Sequence, residues 1–178
     1  MAVGDLLDPG SVRSALNGVD TPFTVLRPGY FFQNDAQLKP VLTGAGLYPV
    51  PIGKAGIAAI DVRDIADAAV VSLTTDGHAG NNLVAPDPLS GPGAAAIWSE
   101  VLNKQVRYAD LPVEAFEEQL RQIFPAWLAK GPLAYVPGIR GPWLRSEQRR
   151  CRYLTSLIGH APRRYEDFVR EMAAEWSK

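Results

Sequence analysis

The stretch GIAAIDVRDIADAAVVSL, Gly56 to Leu73, changes character at a single residue. Ile57 to Ile60 carry no charge, as a parallel strand buried on both faces requires. Asp61 then stands where a helix N-cap belongs, because its carboxylate can accept from the first orphan backbone N–H groups. Asp64, three residues on, lies beside the positive end of the helix dipole. Ile65, Ala68, Ala69 and Ser72 share one helical face. A charge-free strand feeding a capped helix is the unit from which parallel α/β sheets are built.

On the N-terminal side, DPGSVRSALNG predicts a short helix, with Asp8 as cap, Pro9 in the first turn and Gly18 at the end. FTVL, Phe23 to Leu26, predicts a strand, and RPGYFFQN a loop in which Gly29 takes a positive φ. From Gln33 to Lys54 the breakers Pro40, Gly44, Gly46, Pro49, Pro51 and Gly53 predict irregular chain. On the C-terminal side, NNLVA (Asn81 to Ala85) and VRYAD (Val106 to Asp110) read as strands around the helix AAAIWSEVL. The expected sheet runs through about Phe23, Ile57, Asn81 and Val106, with Phe23–Leu26 beside Ile57–Ile60. After Pro112 the pattern is helical only, with an apolar stripe at Val113, Phe116, Leu120 and Ile123 and a bend at Pro125. The expected fold class is α/β: a reduced Rossmann-like parallel sheet with helices on both faces and a helical C-terminal lobe.

The 178 residues suit one domain, and 47% hydrophobic content is ordinary for a globular chain. A net charge of −1 creates no global field for nucleic acid or a membrane surface, although the chain from Arg140 onward holds nine basic against five acidic residues. Those charges read as solvated helix faces. The single cysteine, Cys151, allows no internal disulfide, which fits a reducing cytosol. The opening MAVGDLLDPG lacks the basic and apolar regions of a signal peptide. His78 and His160 have no Cys or His companions at ligand spacing, so no metal site is expected.

Several segments, in order, resemble the NmrA-like family, atypical relatives of the short-chain dehydrogenase/reductases with an NAD(P)-binding Rossmann domain. GDLLDPGSVRSALNGVD is similar to the segment closing the first half of that domain. TPFTVLRPGYFFQN resembles its later strand and Arg-Pro-Gly loop, AAIDVRDIADAAVVSL its Asp-Val-Arg-Asp-Ile-Ala element, and LTSLIGHAPRRYEDFVREMAAEW its C-terminal helices. The resemblance implies NADP or NAD as cofactor. Asp5 and Leu6 match the adenine contact, and Arg27, Pro28, Gly29, Tyr30 and Phe31 the nicotinamide side, where the aromatics would form an apolar wall. Phe32 and Asn34 match substrate-facing positions. On residues alone, Asp5 and Leu6 read rather as a frayed end, Tyr30 to Phe32 equally as a core lip, and Asp61 and Asp64 as capping groups rather than catalysts.

The resemblance also implies departures. The strand and Gly-rich turn that open a family member are not matched, nor is an internal block expected between Asp20 and Thr21 that would carry the proton-transferring Tyr and Lys. Residues 1–111 are therefore expected to form a partial NAD(P)-binding domain, and residues 112–178 a helical lobe packed on it as one unit. GPGAAA, Gly91 to Ala96, fits G-x-G-x-x-A with Asp110 downstream, but five residues separate it from the preceding strand, too many for the tight turn that aims a helix at pyrophosphate. The expectation is a cytoplasmic protein that is an oxidoreductase or redox-sensing regulator by ancestry, degenerate and with weak or no cofactor binding, or else a non-catalytic binding or regulatory module or a truncated product. Its substrate would be a small molecule, with no membrane or direct nucleic-acid partner. Elements lacking from the sheet would leave apolar surface exposed or hidden in a homodimer.

Overall fold

The computed structural model describes residues 9–18, 24–76, 81–85, 87–123 and 147–178. Six α-helices lie among them: α1 (Pro9–Leu16), α2 (Val62–Thr74), α3 (Gly91–Val101), α4 (Val113–Ile123), α5 (Glu147–Ile158) and α6 (Tyr165–Trp176). The strands are β1 (Leu26–Pro28), β2 (Tyr30–Phe31), β3 (Leu47–Tyr48), β4 (Ala59–Ile60), β5 (Asn81–Leu83) and β6 (Arg107–Tyr108). They form three parallel pairs: β1 with β5 (Leu26 opposite Asn81), β2 with β4 (Tyr30 opposite Ala59), and β3 with β6 (Leu47 opposite Arg107).

Three expectations need correction. Leu26 pairs with Asn81 rather than with the 57–60 strand, and that strand meets the chain further on, at Tyr30 and Phe31. Phe23 lies outside the described residues. Within RPGYFFQN, Arg27 to Phe31 is therefore strand, interrupted only at Gly29, and Phe32 to Asn34 open a 3-10 helix, rather than the whole being a loop. The stretch from Gln33 to Lys54 is irregular only in part, chiefly from Pro49 to Lys54. A 3-10 helix covers Phe32–Leu38, a π-helical turn Val41–Ala45, and β3 follows. Strand β6 pairs there instead of extending the main sheet. Ile57 makes only an isolated antiparallel bridge to Leu89.

Alternation along the short strands creates a core on each face. Ala59 and Tyr30 face a large cluster with Phe32, Tyr48, Trp98 and Phe168, covered by α3 and α6. Their neighbours Ile60 and Phe31 face a second cluster with Leu83, Ala68 of α2 and Leu154 of α5. Helices thus cover both faces, as buried parallel strands demand. Phe116 of α4 and Tyr165, Phe168 and Val169 of α6 belong to the same cluster as Tyr48 and Trp98, so the C-terminal helices complete the core of the α/β portion. Pro125 lies outside the described residues.

Gly18 closes α1 at φ +77°, and Asp61 caps α2 by accepting from the Arg63 N–H at 2.9 Å. Asp8 lies outside the described residues. Among the described residues, the large apolar side chains left exposed are Val25, Val70 and Leu73, the last two three residues apart on α2. Among those residues no helix is long and apolar enough to cross a membrane.

Candidate functional site

The strand β1–β2 changes neighbours at Gly29. Its N–H donates to Leu83 O of β5 at 3.0 Å, and the next N–H, of Tyr30, donates to Ala58 O at 2.9 Å. Gly29 is not needed here for a positive φ, contrary to the sequence expectation, since it is absent from the residues with φ in that region. Its need is for space: a Cβ would lie 2.5 Å from Ala58 O and 2.8 Å from Ala58 C. Both atoms are backbone of a paired strand and cannot rotate away. Gly29→Ala is therefore expected to destabilise the fold by about 1–3 kcal/mol, the scale of overpacking. Urea unfolding tests this, and an unchanged midpoint would refute the close-approach account.

The matched positions separate around this crossing. Arg27 is exposed, and among the described residues no carboxylate pairs with it. Pro28, Gly29 and Tyr30 are half-buried. Tyr30 and Phe31 point to opposite cores, so the two aromatics do not form one apolar wall. Phe32 is 2% exposed, with its ring edge-on to Tyr165 at 5.2 Å and tilted to Phe168 at 6.0 Å, so it supports the site from within. Asn34 is exposed. Asp5 and Leu6 lie outside the described residues.

Sequence reasoning missed Asp35. This carboxylate is fully buried and accepts from Tyr30 Oη at 2.6 Å (Oδ1), from Tyr48 Oη at 2.9 Å (Oδ2) and from Tyr165 Oη (Oδ2). Trp98 Nε1 donates in turn to Tyr165 Oη at 2.9 Å, and the Trp98 ring stacks on Trp176 at 4.9 Å. Burial pushes the Asp35 carboxyl up to about 6, against the pull of its three hydroxyl donors. Burial and the Asp35 charge hold all three tyrosines well above their ordinary value, so they stay neutral. The available signal was an acid placed after three consecutive aromatics, Tyr30 to Phe32.

The acids of α2 serve structure. Arg63 Nε and Nη2 donate to the Asp61 carboxylate at 2.9 and 2.7 Å, and the neighbouring Val62 N–H donates to Gln33 Oε1 at 3.0 Å. Asp64 is fully buried and accepts from the Arg163 backbone N–H at 2.8 Å and from its guanidinium, which also reaches Asp67 at 2.8 Å. His160 Nε2 lies 3.2 Å from the same Asp67 oxygen. One ligand atom each from Asp64, Asp67 and His160 fall within 4.8 Å of one another, a grouping that sequence spacing did not disclose. Arg163 already supplies its positive charge. The α2 N-terminus is thus closed to an anion by its own acids.

The N-terminus of α3 is closed differently. Ser90 caps it through Gly93 N, and a Cβ at Gly91 would fall 2.3 Å from the Tyr108 ring. Gly91 exists to admit that ring, so GPGAAA is a packing device and not a pyrophosphate turn. Asp110 pairs with Lys54 at 3.1 Å. An open depression at the α3–β6 turn, bordered by Ser99, Asn103, Lys104 and Arg107, shares no residue with the strand-end site.

No protein-family profile matches the chain. Over 120 residues, 66% of this chain and 43% of the relative, it is 30% identical to a (4-alkanoyl-5-oxo-2,5-dihydrofuran-3-yl)methyl phosphate reductase of Streptomyces griseus. Over 100 residues, 55% of this chain and 35% of the relative, it is 32% identical to an NAD(P)H azoreductase of Xenophilus azovorans. An NADPH-dependent quinone oxidoreductase of Escherichia coli, solved with NADPH, superposes with a TM-score of 0.75 at 23% identity, over 94% of this chain and 58% of that one. The chain therefore spans less than half of either curated relative and somewhat over half of the solved structure. Its mixed α/β fold, with parallel strands and helices on both faces, matches the Rossmann-like fold of that oxidoreductase.

Proposed function

We propose that this chain forms the nicotinamide and substrate side of an NAD(P)H-dependent reductase. The observation that carries the proposal is the backbone crossing at Gly29, where the chain leaves the carboxyl end of β1, beside that of β5, and starts β2 against β4. Ligands of open α/β sheets bind outside those ends. Arg27 adds an exposed guanidinium able to grip phosphate or a carboxamide. Half-buried Tyr30 and exposed Asn34 supply the adjoining lip. NADPH, when bound, supplies the hydride, and these residues bind and orient it. The Tyr30 proton is committed to Asp35, so Tyr30 offers packing surface rather than acid catalysis. The likeness to two curated reductases favours a working cofactor site over a degenerate one.

The affinity is expected to be modest, weaker than low micromolar, because the N-termini of α2 and α3 are closed to pyrophosphate. Calorimetric titration with NADPH and NADH at low salt tests the reading. Saturable binding is expected, with Arg27→Ala raising the dissociation constant roughly tenfold, the loss of one charge-assisted hydrogen bond. Because Arg27 is exposed, the melting temperature should stay constant. Absence of saturable binding of either nucleotide would remove the proposal. Oxidation of NADPH with a quinone or an azo dye then separates a reductase from a binding module.

A further inference from the structure

Asp35 is a fully buried acid whose acceptors are met by hydroxyls. Among the described residues no Lys, Arg or His pairs with it, and its charge is met by three hydroxyls alone. The two oxygens have different duties. Oδ2 takes both core tyrosines, the fully buried Tyr48 and the 7% exposed Tyr165. Oδ1 is left for Tyr30, the half-buried residue at the lip. A carboxylate is planar and rigid, so fixing Oδ2 fixes Oδ1. The fixed end is deep: Tyr165 also accepts from Trp98, whose indole stacks on Trp176 at an interplanar angle of 5°. The movable end is one hydroxyl on one ring, which adjoins the backbone crossing at Gly29.

We infer that Asp35 is a positioning residue for the cofactor-facing lip, bracing the Tyr30 ring against the core through its second oxygen. The inference rests on the nicotinamide-side reading above. Tyr30 and Tyr48 each give Asp35 one hydroxyl hydrogen bond, so a merely structural carboxylate makes them equivalent. A positioning carboxylate makes them different, because only Tyr30 reaches the lip.

The test compares Tyr30→Phe, Tyr48→Phe and Asp35→Asn by calorimetric titration with NADPH, alongside their melting temperatures. Tyr30→Phe keeps the ring but frees it from Oδ1, and the dissociation constant is expected to rise roughly fivefold, the scale of one net hydrogen bond. Asp35→Asn replaces one of the two acceptor oxygens by a donor, which disturbs the three-hydroxyl arrangement, and should weaken NADPH binding as well. Tyr48→Phe should lower the melting temperature at least as far as Tyr30→Phe while leaving NADPH affinity unchanged. Equal effects of Tyr30→Phe and Tyr48→Phe on affinity, or no effect of Tyr30→Phe, would overturn the inference and leave the proposed function standing. Failure of the unsubstituted chain to bind NADPH would overturn both.

Discussion

Arg163→Ala is expected to destabilise the protein by about 3 kcal/mol, the lower end of the cost of stranding a buried charge. Asp64 is fully buried, and the Arg163 guanidinium is the cation that meets it. The substitution leaves Asp64 the Arg163 backbone N–H, at 2.8 Å, which keeps the loss from reaching the upper end. Asp67, with a side chain 39% exposed, loses the same guanidinium but can turn to water. The surface pairs of α4 and α6, such as Arg121 with Glu117 and Arg170 with Glu166, offer the contrast, since exposed pairs are worth about 0–1 kcal/mol. The check is a double-mutant cycle in urea. Arg163→Ala should cost much less in an Asp64→Asn background, where no charge is stranded. Equal costs in the two backgrounds would assign the loss to packing of the arginine stem.

The same acid marks the limit of what the sequence disclosed. Asp61 and Asp64 were legible as helix-start residues because capping is local, and the Asp61 cap is in place. Arg163 stands 99 residues from Asp64, and no periodicity connects them. Gly29 was legible as a required glycine but for the wrong reason. A positive φ is a property of one residue, whereas the approach to Ala58 belongs to two strands brought together. Between Gln33 and Lys54 the prolines and glycines suggested irregular chain. They instead delimit a 3-10 helix, a π-helical turn and β3, elements too short to show a period. Asp35 sits inside that stretch. Its role depends on Tyr48, Trp98 and Tyr165 arriving from three other elements, so its one local sign was an acid following the aromatics Tyr30 to Phe32. Alternating strands and capped helices did disclose the fold class, since the helices covering both faces follow from charge-free strands.

Stability is expected to fall by about 3 kcal/mol as pH rises from about 4 to about 7, and Asp35 is the cause. Its carboxyl moves from 3.8 to about 6 on folding, chiefly through burial. Below the lower value the group is protonated in both states and contributes no slope. Between the two values the folded protein keeps a proton that the unfolded chain releases, so rising pH draws the equilibrium toward the unfolded chain. Above the upper value both states are ionised and the loss is complete. Asp61 and Asp67 work in the opposite sense and in a lower window. Burial pushes the Asp61 carboxyl up, but Arg63 more than offsets it and holds it below its ordinary value. The Arg163 hydrogen bond lowers Asp67. Their stabilisation is present above the ordinary carboxylate value and is lost as pH falls through their folded values, so it adds nothing to the slope near pH 5. Urea unfolding of the unsubstituted chain and of Asp35→Asn, at a series of pH values through this window, isolates the contribution. The unsubstituted chain should lose stability from acid to neutral pH, and Asp35→Asn, which cannot ionise, should lack that component. Parallel profiles for the two proteins would show that the three tyrosine hydroxyls offset the burial of the charge in full, leaving Asp35 ionised throughout.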